Sequence, residues 1–371
     1  MSTIDLVRRN PDRFSVKAVT ANKNVEELAA LAREFAAEVA VSADERHYAQ
    51  LKELLADTGT RVLAGEEGLI AAAEIDCDLV MAAIVGAAGL RPTLAAVSKG
   101  TTIALANKEC LVCAGDLFMQ EARKSGSRIL PVDSEHNAVY QVFDFQRETA
   151  VEKVILTASG GPFWKRRGEC LKEVTPAEAV AHPNWEMGQK ISVDSATMMN
   201  KGLEVIEAYH LFPVGKAQID VVIHPESVIH SMVQYSDGSV LAQLGSPDMR
   251  TPIAYALAWP DRIDAPVKTL SLPKLSQLTF AEPDFETFEC LQLAMEALKE
   301  GGAAPLVLNA ANEIAVKAFL EEKIGFLDVS SLVKATLAKT DMKAPQSLSN
   351  VFEQDQQARI VAQTLLTQMA R

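Results

Sequence analysis

Cysteine is scarce in this sequence, and the cysteines that are present form no framework. Five of them are spread over 371 residues, whereas a disulfide-stapled secreted domain carries an even number within a short chain. The closest pair, Cys110 and Cys113, has the spacing of a redox or zinc motif, but no second pair would complete a tetrahedral metal site. We therefore expect ordinary reduced thiols and a cytoplasmic protein.

Long basic runs and long apolar runs are lacking as well. Lys and Arg total 36 against 49 Asp and Glu, which gives a formal net charge of −13. This balance argues against a nucleic-acid groove, because phosphate backbones are bound by clustered cations. The apolar stretch at residues 79–90 is shorter than the roughly 20 residues that span a bilayer, and the amino terminus has no signal-peptide core. We expect no nucleic-acid partner and no membrane partner.

The first third of the sequence does contain a regular alternation of apolar strands and amphipathic helices. The predicted strands are residues 14–20, 39–41, 61–63, 78–85, 102–106 and 128–132. Strands that alternate with helices at this rhythm form parallel sheets covered by helices on both faces. The pattern therefore predicts a doubly wound α/β domain, of the kind that binds dinucleotides.

One piece of that fold is lacking in the printed sequence. A dinucleotide-binding unit begins with a strand and a Gly-rich turn, and the helix that follows holds the pyrophosphate at its N-terminus. Residues 4–9 already have the pattern of that helix, and no strand or glycine turn precedes Phe14. We therefore expect the 371-residue polypeptide to have an incomplete sheet edge and to bind a dinucleotide poorly.

After Pro131 the pattern changes to mixed strands and then to helices. Strands are predicted at residues 151–157, 219–223, 227–235 and 239–244, and helices at residues 291–299, 303–322, 329–338 and 351–369. Residues 261–288 are irregular and rich in proline, which is typical of a linker. The sequence thus predicts an α+β domain, a linker and a carboxyl-terminal helical bundle.

Two carboxylates, a hydroxyl and an imidazole follow the predicted strand that ends at Val132, in the order Asp133, Ser134, Glu135 and His136. Ligands of open α/β sheets bind beyond the carboxyl ends of the strands, and carboxylates of this spacing can converge on a hard divalent cation. Acidic residues are also common in the first turn of a helix, where the helix dipole favours them. The segment by itself leaves both interpretations open.

A second polar segment, at residues 193–204, has the pattern of a helix start. Ser195 can cap the helix, and the free backbone N–H groups there suit a phosphate. Asn200, Lys201 and Glu204 are spaced three and four residues apart and share one helix face. A solvated Lys–Glu pair without function is the alternative.

Loops supply further candidates, each with an ordinary structural alternative. The turn of Ser159 and its following glycines is either a plain turn or a phosphate loop. Residues 182–188 form a long irregular segment that contains Trp185, which is typical of a lid, and His182 there is either structural or a ligand contact. Asn107-Lys108-Glu109 directly follows a predicted strand and either faces the sheet crevice or caps the next helix. Lys23 and Asn24 stand where NAD enzymes carry an acid, which favours NADP.

These segments, in this order, resemble the 1-deoxy-D-xylulose 5-phosphate reductoisomerase family. Three of the matching motifs are Leu105-Ala-Asn-Lys-Glu109, Leu130-Pro-Val-Asp-Ser-Glu-His-Asn137 and Asp194-Ser-Ala-Thr-Met-Met-Asn-Lys-Gly-Leu-Glu204. Further matches lie at residues 81–90, 159–163, 182–185, 190–193, 224–225, 227–232, 247–252 and 309–313. The resemblance runs from Ser2 to the last predicted helix.

The resemblance implies the architecture and the ligands. It implies a homodimer whose subunit has an NADPH-binding domain (residues 1–132), a catalytic and dimerisation domain (133–260), a linker (261–289) and a helical bundle (290–371). It implies NADPH, a sugar-phosphate substrate and a divalent cation, which is Mg²⁺ or Mn²⁺ with Co²⁺ as a third candidate. The reaction implied is the isomerisation and reduction of 1-deoxy-D-xylulose 5-phosphate to 2-C-methyl-D-erythritol 4-phosphate in non-mevalonate isoprenoid synthesis.

Residue roles are implied position by position. The implied metal ligands are Asp133, Glu135 and Glu204, and the implied catalytic residues are these three with Lys108 and His182. The implied substrate contacts are Lys108, Ser134, Glu135, Ser159, His182, Ser195, Asn200, Lys201 and Glu204, of which Ser159, Ser195, Asn200 and Lys201 bind the phosphate. The implied NADPH contacts are Lys23, Asn24, Asn107, Glu109 and Gly188, and the implied lid residues are Trp185 and Met187.

Two other functions fit the residues. A truncated paralogue would bind metal and sugar phosphate, or pair with a full-length partner, without reducing the substrate. A metal-dependent sugar-phosphate isomerase or aldolase would turn over its substrate independently of any nicotinamide. The reductoisomerase is the function that we carry forward, since it alone accounts for all the motifs together.

We expect the 371-residue polypeptide to oxidise NADPH slowly in the presence of 1-deoxy-D-xylulose 5-phosphate and Mg²⁺, because it lacks the glycine turn that positions the pyrophosphate. Addition of an upstream strand and glycine turn of the family pattern should restore the reaction, followed as loss of NADPH absorbance. Equal rates with and without those residues would contradict this expectation.

Overall fold

The structure, a computed structural model, describes residues 1–166, 171–181 and 188–369. These residues divide into two units. Unit 1 comprises residues 1–107, 118–132 and 253–266, and unit 2 comprises residues 108–117 and 133–252 and those from 267 onward. The division into four domains that the sequence predicts, with boundaries after residues 132, 260 and 289, differs from this division into two units and stays a prediction.

Unit 1 consists of parallel strands that alternate with helices. In chain order its elements are α1 (Ser2–Arg9), β1 (Ala18–Ala21), α2 (Val25–Glu34), β2 (Val39–Ser42), α3 (Tyr48–Leu54), β3 (Arg61–Ala64), α4 (Gly65–Ala73), β4 (Leu79–Ala82), α5 (Leu90–Ser98), β5 (Thr102–Leu105) and β6 (Ile129–Pro131). Helix α6 (Glu109–Ser125) lies between β5 and β6 in the chain, kinks at Ala114, and contributes to both units. The predicted α/β alternation is confirmed.

The strands of unit 1 form two sheets of three, in the orders β1-β2-β3 and β4-β5-β6, and all pairs are parallel. Strand β2 is apolar except for Ser42 and is buried along its whole length because it is the central strand of its sheet. The sequence predicts a doubly wound sheet without its first strand. Within the described residues the six strands form two separate sheets, and no strand pairs with both of them.

Unit 2 combines a mixed sheet with helices. After β6 its elements are α7 (Ser134–Val142), β7 (Val151–Ala158), α8 (Pro176–Val180), α9 (Gln189–Ala196), α10 (Met199–Leu211), β8 (Ile219–Ile223), β9 (Ile229–Tyr235), β10 (Val240–Leu244), α11 (Arg250–Ala258, shared with unit 1), α12 (Leu272–Leu275), α13 (Glu289–Glu300), α14 (Ala304–Leu320), α15 (Asp328–Leu337) and α16 (Leu348–Met369). The sheet order is β10-β9-β7-β8, with β7 and β8 parallel and the other pairs antiparallel. None of the described helices combines the length and the apolar character needed to cross a membrane.

Helix α10 lies at the centre of unit 2. It packs against α7, α9 and α13 and against strands β7 and β8. Apolar side chains such as Leu203 and Ile206 join the core, and Lys201, Glu204 and Glu207 on the same helix are also buried. Charged groups are almost never buried unless they are paired. The position of α10 therefore requires a partner for each of its buried charges.

Helix α9 is held on the carboxyl-terminal helices by a buried polar contact. The Asn312 amide on α14 donates to Asp194 Oδ1 at 2.8 Å, and the Lys190 ammonium lies 2.7 Å from Asp194 Oδ2. Both Asp194 and Asn312 are buried. The contact fixes α9, which carries Ser195, on the helical bundle.

Asn312→Ala should lower the free energy of unfolding by about 2 kcal/mol, because it removes a hydrogen bond to a buried charged group. The matched control is Asn350→Ala, since the Asn350 amide pairs with Glu353 at the surface at 3.1 Å, and a change within about 0.5 kcal/mol is expected there. Urea denaturation measures both. Equal destabilisation by the two substitutions would show that the Asp194 contact does not anchor α9.

Candidate active site

Lys108 and Asp133 emerge from neighbouring strand ends. Strands β5 and β6 are paired in parallel, with Leu105 opposite Pro131, and Lys108 and Asp133 follow these ends directly. Asp133 occupies the N-cap position of α7, but its side chain makes no capping hydrogen bond. Instead its carboxylate accepts a hydrogen bond from Lys108. The predicted helix start is therefore confirmed, while the role of Asp133 as a cation ligand stays a prediction.

Four carboxylates and two ammonium groups form one cluster in unit 2, in which Lys201, Glu204 and Glu207 are buried and the other three groups are partly buried. The carboxylates, which we call the carboxylate cluster, belong to Asp133, Glu135, Glu204 and Glu207. The Lys108 ammonium donates to Asp133 and lies 3.4 Å from both Glu204 Oε1 and Glu207 Oε2. All three donor hydrogens of that ammonium thus have a carboxylate partner.

Lys201 neutralises the other side of the cluster. Its ammonium is buried, lies 2.9 Å from Glu135 Oε1 and also donates to Glu204. The Asn200 amide donates to Glu204 Oε1 at 2.5 Å. The shared helix face of Asn200, Lys201 and Glu204 is therefore confirmed, and the Lys–Glu pair on it is buried rather than solvated.

The buried charges shift one another's pKa values. Burial raises the pKa of Glu207 to about 7, an effect that the Lys108 charge opposes. For Glu135, burial acts in the same upward direction, but the charge of Lys201 outweighs it and holds the pKa at about 2. The Lys201 pKa is raised despite burial because Glu135 and Glu204 stabilise the ammonium. The cluster therefore keeps an excess of carboxylate charge at neutral pH.

His136 stands beside this cluster as a neutral imidazole. It is fully buried, and burial together with the Lys108 charge lowers its pKa to about 3. Its Nε2 lies 2.8 Å from the Glu204 carbonyl oxygen, so this nitrogen carries the proton and donates. Within the described residues its Nδ1 has no hydrogen-bond partner.

Two of the candidate phosphate residues, Ser159 and Ser195, lie on segments that meet at the end of α9. Ser159 follows β7, and the Gly161 N–H donates to its Oγ at 3.2 Å. Gly161 has φ +68°, and a Cβ there would lie 2.6 Å from the Ser195 carbonyl oxygen. Only glycine fits this position, and the absence of a side chain lets the Ser159 turn lie against Ser195.

The expectation that Ser195 caps a helix start is wrong. Ser195 lies in the last turn of α9, and the next helix, α10, begins at Met199 after Met198 in a left-handed conformation with φ +64°. Thr197 Oγ accepts from the Met199 N–H at 3.4 Å. The sequence pattern correctly predicted that a helix begins near this point, but it did not show that another helix, α9, ends immediately before it.

The other predicted residues are divided between the two units. In unit 1, Asn107 is buried and donates to the carbonyl oxygens of Ile84 and Gly86, and Asn24 caps α2 by accepting from the Glu27 N–H. Lys23 is exposed beside Asn24. In unit 2, the Ser134 hydroxyl donates to Glu135 Oε2 at 2.5 Å. Glu109 is buried and is the first residue of α6, and Gly188 is exposed and is the N-cap residue of α9.

The predicted lid lies outside the described residues. This applies to His182, Trp185 and Met187 alike. Their roles as substrate contact and lid stay predictions.

Family models account for most of the chain. The model of 1-deoxy-D-xylulose 5-phosphate reductoisomerase matches residues 1–115, and that of its C-terminal domain matches residues 129–212. A DXP reductoisomerase C-terminal domain model matches residues 244–361. The reductoisomerase of Rhodospirillum centenum is 57% identical over 98% of this chain and 91% of its own length, and that of Zymomonas mobilis is 54% identical over 98% and 94%.

This chain belongs to the 1-deoxy-D-xylulose 5-phosphate reductoisomerase family. Solved reductoisomerases share its fold. The Zymomonas mobilis enzyme in complex with NADPH superposes with a TM-score of 0.95 at 53% identity, covering 98% of this chain and 95% of that one. A reductoisomerase in complex with NADPH, fosmidomycin and magnesium gives 0.93 at 47% identity, with 99% and 95% covered. The predicted family, α/β fold and oxidoreductase class are confirmed, and the predicted cofactors agree with the ligands of these relatives.

Two buried residues associated with the carboxylate cluster were not among the predicted site residues, Glu207 and His230. Glu207 contacts Lys108, and its signal was its position three residues after Glu204 on the same helix face. His230 on β9 is buried, and its pKa is lowered by burial while the charges of Glu135 and Lys201 act on it. The matching segment at residues 227–232 contains His230, but nothing in its local pattern shows that β9 lies beside this cluster.

Gly161→Ala should destabilise the protein more than Gly238→Ala. Both glycines have positive φ, but a Cβ at Gly238 meets nothing within 4 Å whereas one at Gly161 meets the α9 backbone. Gly238→Ala should cost about 1 kcal/mol from backbone strain alone, and Gly161→Ala a further 1–3 kcal/mol, roughly, from overpacking. Thermal and urea unfolding measure the difference. Equal effects would mean that the Ser159 turn is not held against Ser195.

Proposed function

We propose that this protein converts 1-deoxy-D-xylulose 5-phosphate into 2-C-methyl-D-erythritol 4-phosphate, with NADPH and a divalent cation. The observation that carries the proposal is the triad of Asp133, Glu135 and Glu204, whose ligand atoms lie within 4.8 Å of one another in a chain of this family. Isomerisation of a ketose requires a carbonyl and a neighbouring hydroxyl to be polarised together, which suits such a site.

The residues present fit a hard divalent cation. The triad offers carboxylate oxygens only, the donor type that Mg²⁺ and Mn²⁺ prefer. The excess of carboxylates over the ammonium groups of Lys108 and Lys201 supplies the negative charge that a dication would balance. The ligand set and the excess negative charge are compatible with Mg²⁺, Mn²⁺ or Co²⁺ at this site. When bound, the cation supplies Lewis-acid polarisation of the substrate oxygens, and NADPH supplies the hydride.

The chain's own side chains orient the substrate around that triad. Lys108 and Ser134 lie at its edge, where they donate to Asp133 and Glu135, and would turn to the sugar oxygens when the substrate binds, to stabilise negative charge that develops there. Asn200 holds the Glu204 carboxylate by its 2.5 Å hydrogen bond. The Asn200 contact fixes the Glu204 carboxylate before the substrate arrives, whereas Lys108 and Ser134 must exchange their carboxylate partners for the sugar oxygens.

The phosphate would lie at the junction of α9 and α10. Ser159 and Ser195 are brought together there by the close approach of Gly161, and Asn200 lies in the first turn of α10, whose free N–H groups attract anions. Lys201 is engaged with Glu135 and Glu204. Its contact with the phosphate therefore requires its ammonium to leave those carboxylates. His182 would close over the bound substrate, with Trp185 and Met187 in the lid.

The residues proposed to contact NADPH belong to both units. In unit 1, Lys23 would contact the 2′-phosphate of NADPH, and Asn24 and Asn107 would contact the rest of the nucleotide. The two hydrogen bonds of Asn107 to the segment of Ile84 and Gly86 support a rigid loop at this place. In unit 2, Glu109 and Gly188 are the proposed contacts.

We also propose that the protein is a cytoplasmic homodimer. Strand β10 is at the edge of its sheet, and Val240, Leu241 and Leu244 on it are exposed, Leu241 to 49%. An exposed apolar edge strand is a template for pairing with another chain, and a second copy would cover it. Cys77, Cys113 and Cys290 carry reduced thiols, which supports a reducing compartment.

NADPH oxidation that depends on substrate and Mg²⁺ tests the reaction. A chelator should abolish it and added Mg²⁺ should restore it. Glu204→Gln should lower kcat/KM by about 100-fold or more, because each 1.4 kcal/mol of lost transition-state stabilisation is tenfold. Glu289→Gln, which changes a carboxylate paired with Lys334 at the surface, is the control and should leave the rate unchanged. No oxidation, even by a polypeptide extended with the strand and glycine turn, would refute the proposed reaction.

Leu241→Lys should shift the protein from dimer to monomer, because a charged side chain on an edge strand opposes pairing. Sedimentation equilibrium over a range of concentrations measures the change. The control is Ile360→Lys, which adds the same charge at an apolar position of α16 that is 53% exposed. The proposal would be wrong if the Leu241→Lys variant remained a dimer or if the wild-type protein were a monomer.

A further inference from the structure

Two triads of potential metal ligands share Asp133. One is the triad of Asp133, Glu135 and Glu204 discussed above, and the other consists of Asp133, His136 and Glu207. In each triad the ligand atoms lie within 4.8 Å of one another. We call the second triad the His136 site. The proposed reaction makes no use of it.

The imidazole of His136 presents a bare acceptor to this site. Its side chain is 1% exposed, and its Nδ1 lies 3.9 Å from Glu207 Oε2 and 4.0 Å from Asp133 Oδ2. Because Nε2 donates to the Glu204 carbonyl, Nδ1 carries a lone pair and no proton. Within the described residues that lone pair has no hydrogen-bond donor, and a buried acceptor left unsatisfied costs about 1–3 kcal/mol.

A cation bound between His136 Nδ1, Asp133 Oδ2 and Glu207 Oε2 would have all three atoms as ligands. Two carboxylate oxygens and one imidazole nitrogen form a donor set that borderline transition metals accept, whereas Mg²⁺ prefers oxygen alone. The hydrogen bond from Nε2 to a backbone carbonyl is also the usual outer support of a metal-bound imidazole, because it fixes the tautomer and the ring orientation.

We propose that the His136 site binds a borderline divalent cation of the Zn²⁺ class, as a second cation site distinct from the all-oxygen triad. The two triads then differ in selectivity although they share one carboxylate. The nitrogen ligand selects Zn²⁺, and the three carboxylates select a hard cation.

Lys108 competes with the cation at the His136 site. Its ammonium donates to Asp133 and lies 3.4 Å from Glu207 Oε2, the same two carboxylates that would bind Zn²⁺. Ammonium and cation cannot both occupy the space between these oxygens. Entry of Zn²⁺ therefore displaces Lys108 from Asp133.

Zinc X-ray absorption on the full chain tests the ligand set directly. With Mg²⁺ saturating the all-oxygen triad, one equivalent of Zn²⁺ should show the outer-shell scattering of an imidazole. His136→Gln should remove this signal, since its amide can still donate to the Glu204 carbonyl but offers no ring nitrogen. An oxygen-only shell in the wild-type protein would overturn the proposal.

Zn²⁺ affinities, measured by competition with a chromophoric chelator, provide a second readout. His136→Gln and Glu207→Gln should each weaken Zn²⁺ binding by about 100-fold or more, because even outer-shell changes cost 10–100-fold or so. Lys108→Gln should strengthen binding, since it removes the competing ammonium. A change in affinity in the opposite direction, or none, in Glu207→Gln or Lys108→Gln would refute the site even if His136→Gln failed to fold.

The control for surface binding is His47→Gln. The His47 imidazole is partly exposed and its Nε2 lies 3.9 Å from Asp44 Oδ2, so it is an alternative nitrogen–carboxylate pair. This substitution should leave both the imidazole signal and the Zn²⁺ affinity unchanged. Loss of the imidazole signal in His47→Gln would place the zinc at the surface and overturn the proposal.

Discussion

The pairing of buried charges around α10 is the constraint on which the rest of the structure depends. Helix α10 is enclosed by helices and by the sheet of unit 2, and it carries Lys201, Glu204 and Glu207 into that interior. Buried carboxylates are costly unless they are paired. Lys108 and Lys201 supply this pairing, and the residual negative charge is what makes the place suited to a divalent cation.

The carboxyl-terminal helices act on the site through α9 and α10. Helix α13 packs on α10, and Asn312 of α14 holds Asp194 of α9. The junction of these two helices meets the turn of Gly161, where a missing side chain permits close approach. The candidate phosphate residues therefore depend for their position on a bundle that contributes none of them, which is why a change deep in the bundle can alter the site.

Sequence reasoning succeeded where a local pattern decides the outcome. Strands such as β8 and the helices of the bundle followed from apolar periodicity, and the motif from Asp133 to Glu135 followed from its place after a strand. It failed at Ser195, because a capping residue and a residue in the last turn of a helix look alike when the neighbouring segment is irregular. It also missed His230, which reaches the cluster only through sheet pairing between distant segments.

The sequence by itself determined the family, the order of strands and helices, and the residue types that can bind a cation and a phosphate. Tertiary structure alone decided which charges face one another. From its spacing, Lys201 could be a solvated partner of Glu204 alone. In the structure α10 is buried, and Lys201 forms ion pairs with both Glu204 and Glu135. Glu207 and His136 became neighbours of Lys108 in the same way. The reason is physical: helix periodicity fixes which residues share a face, whereas the cost of burying a charge depends on what packs against that face.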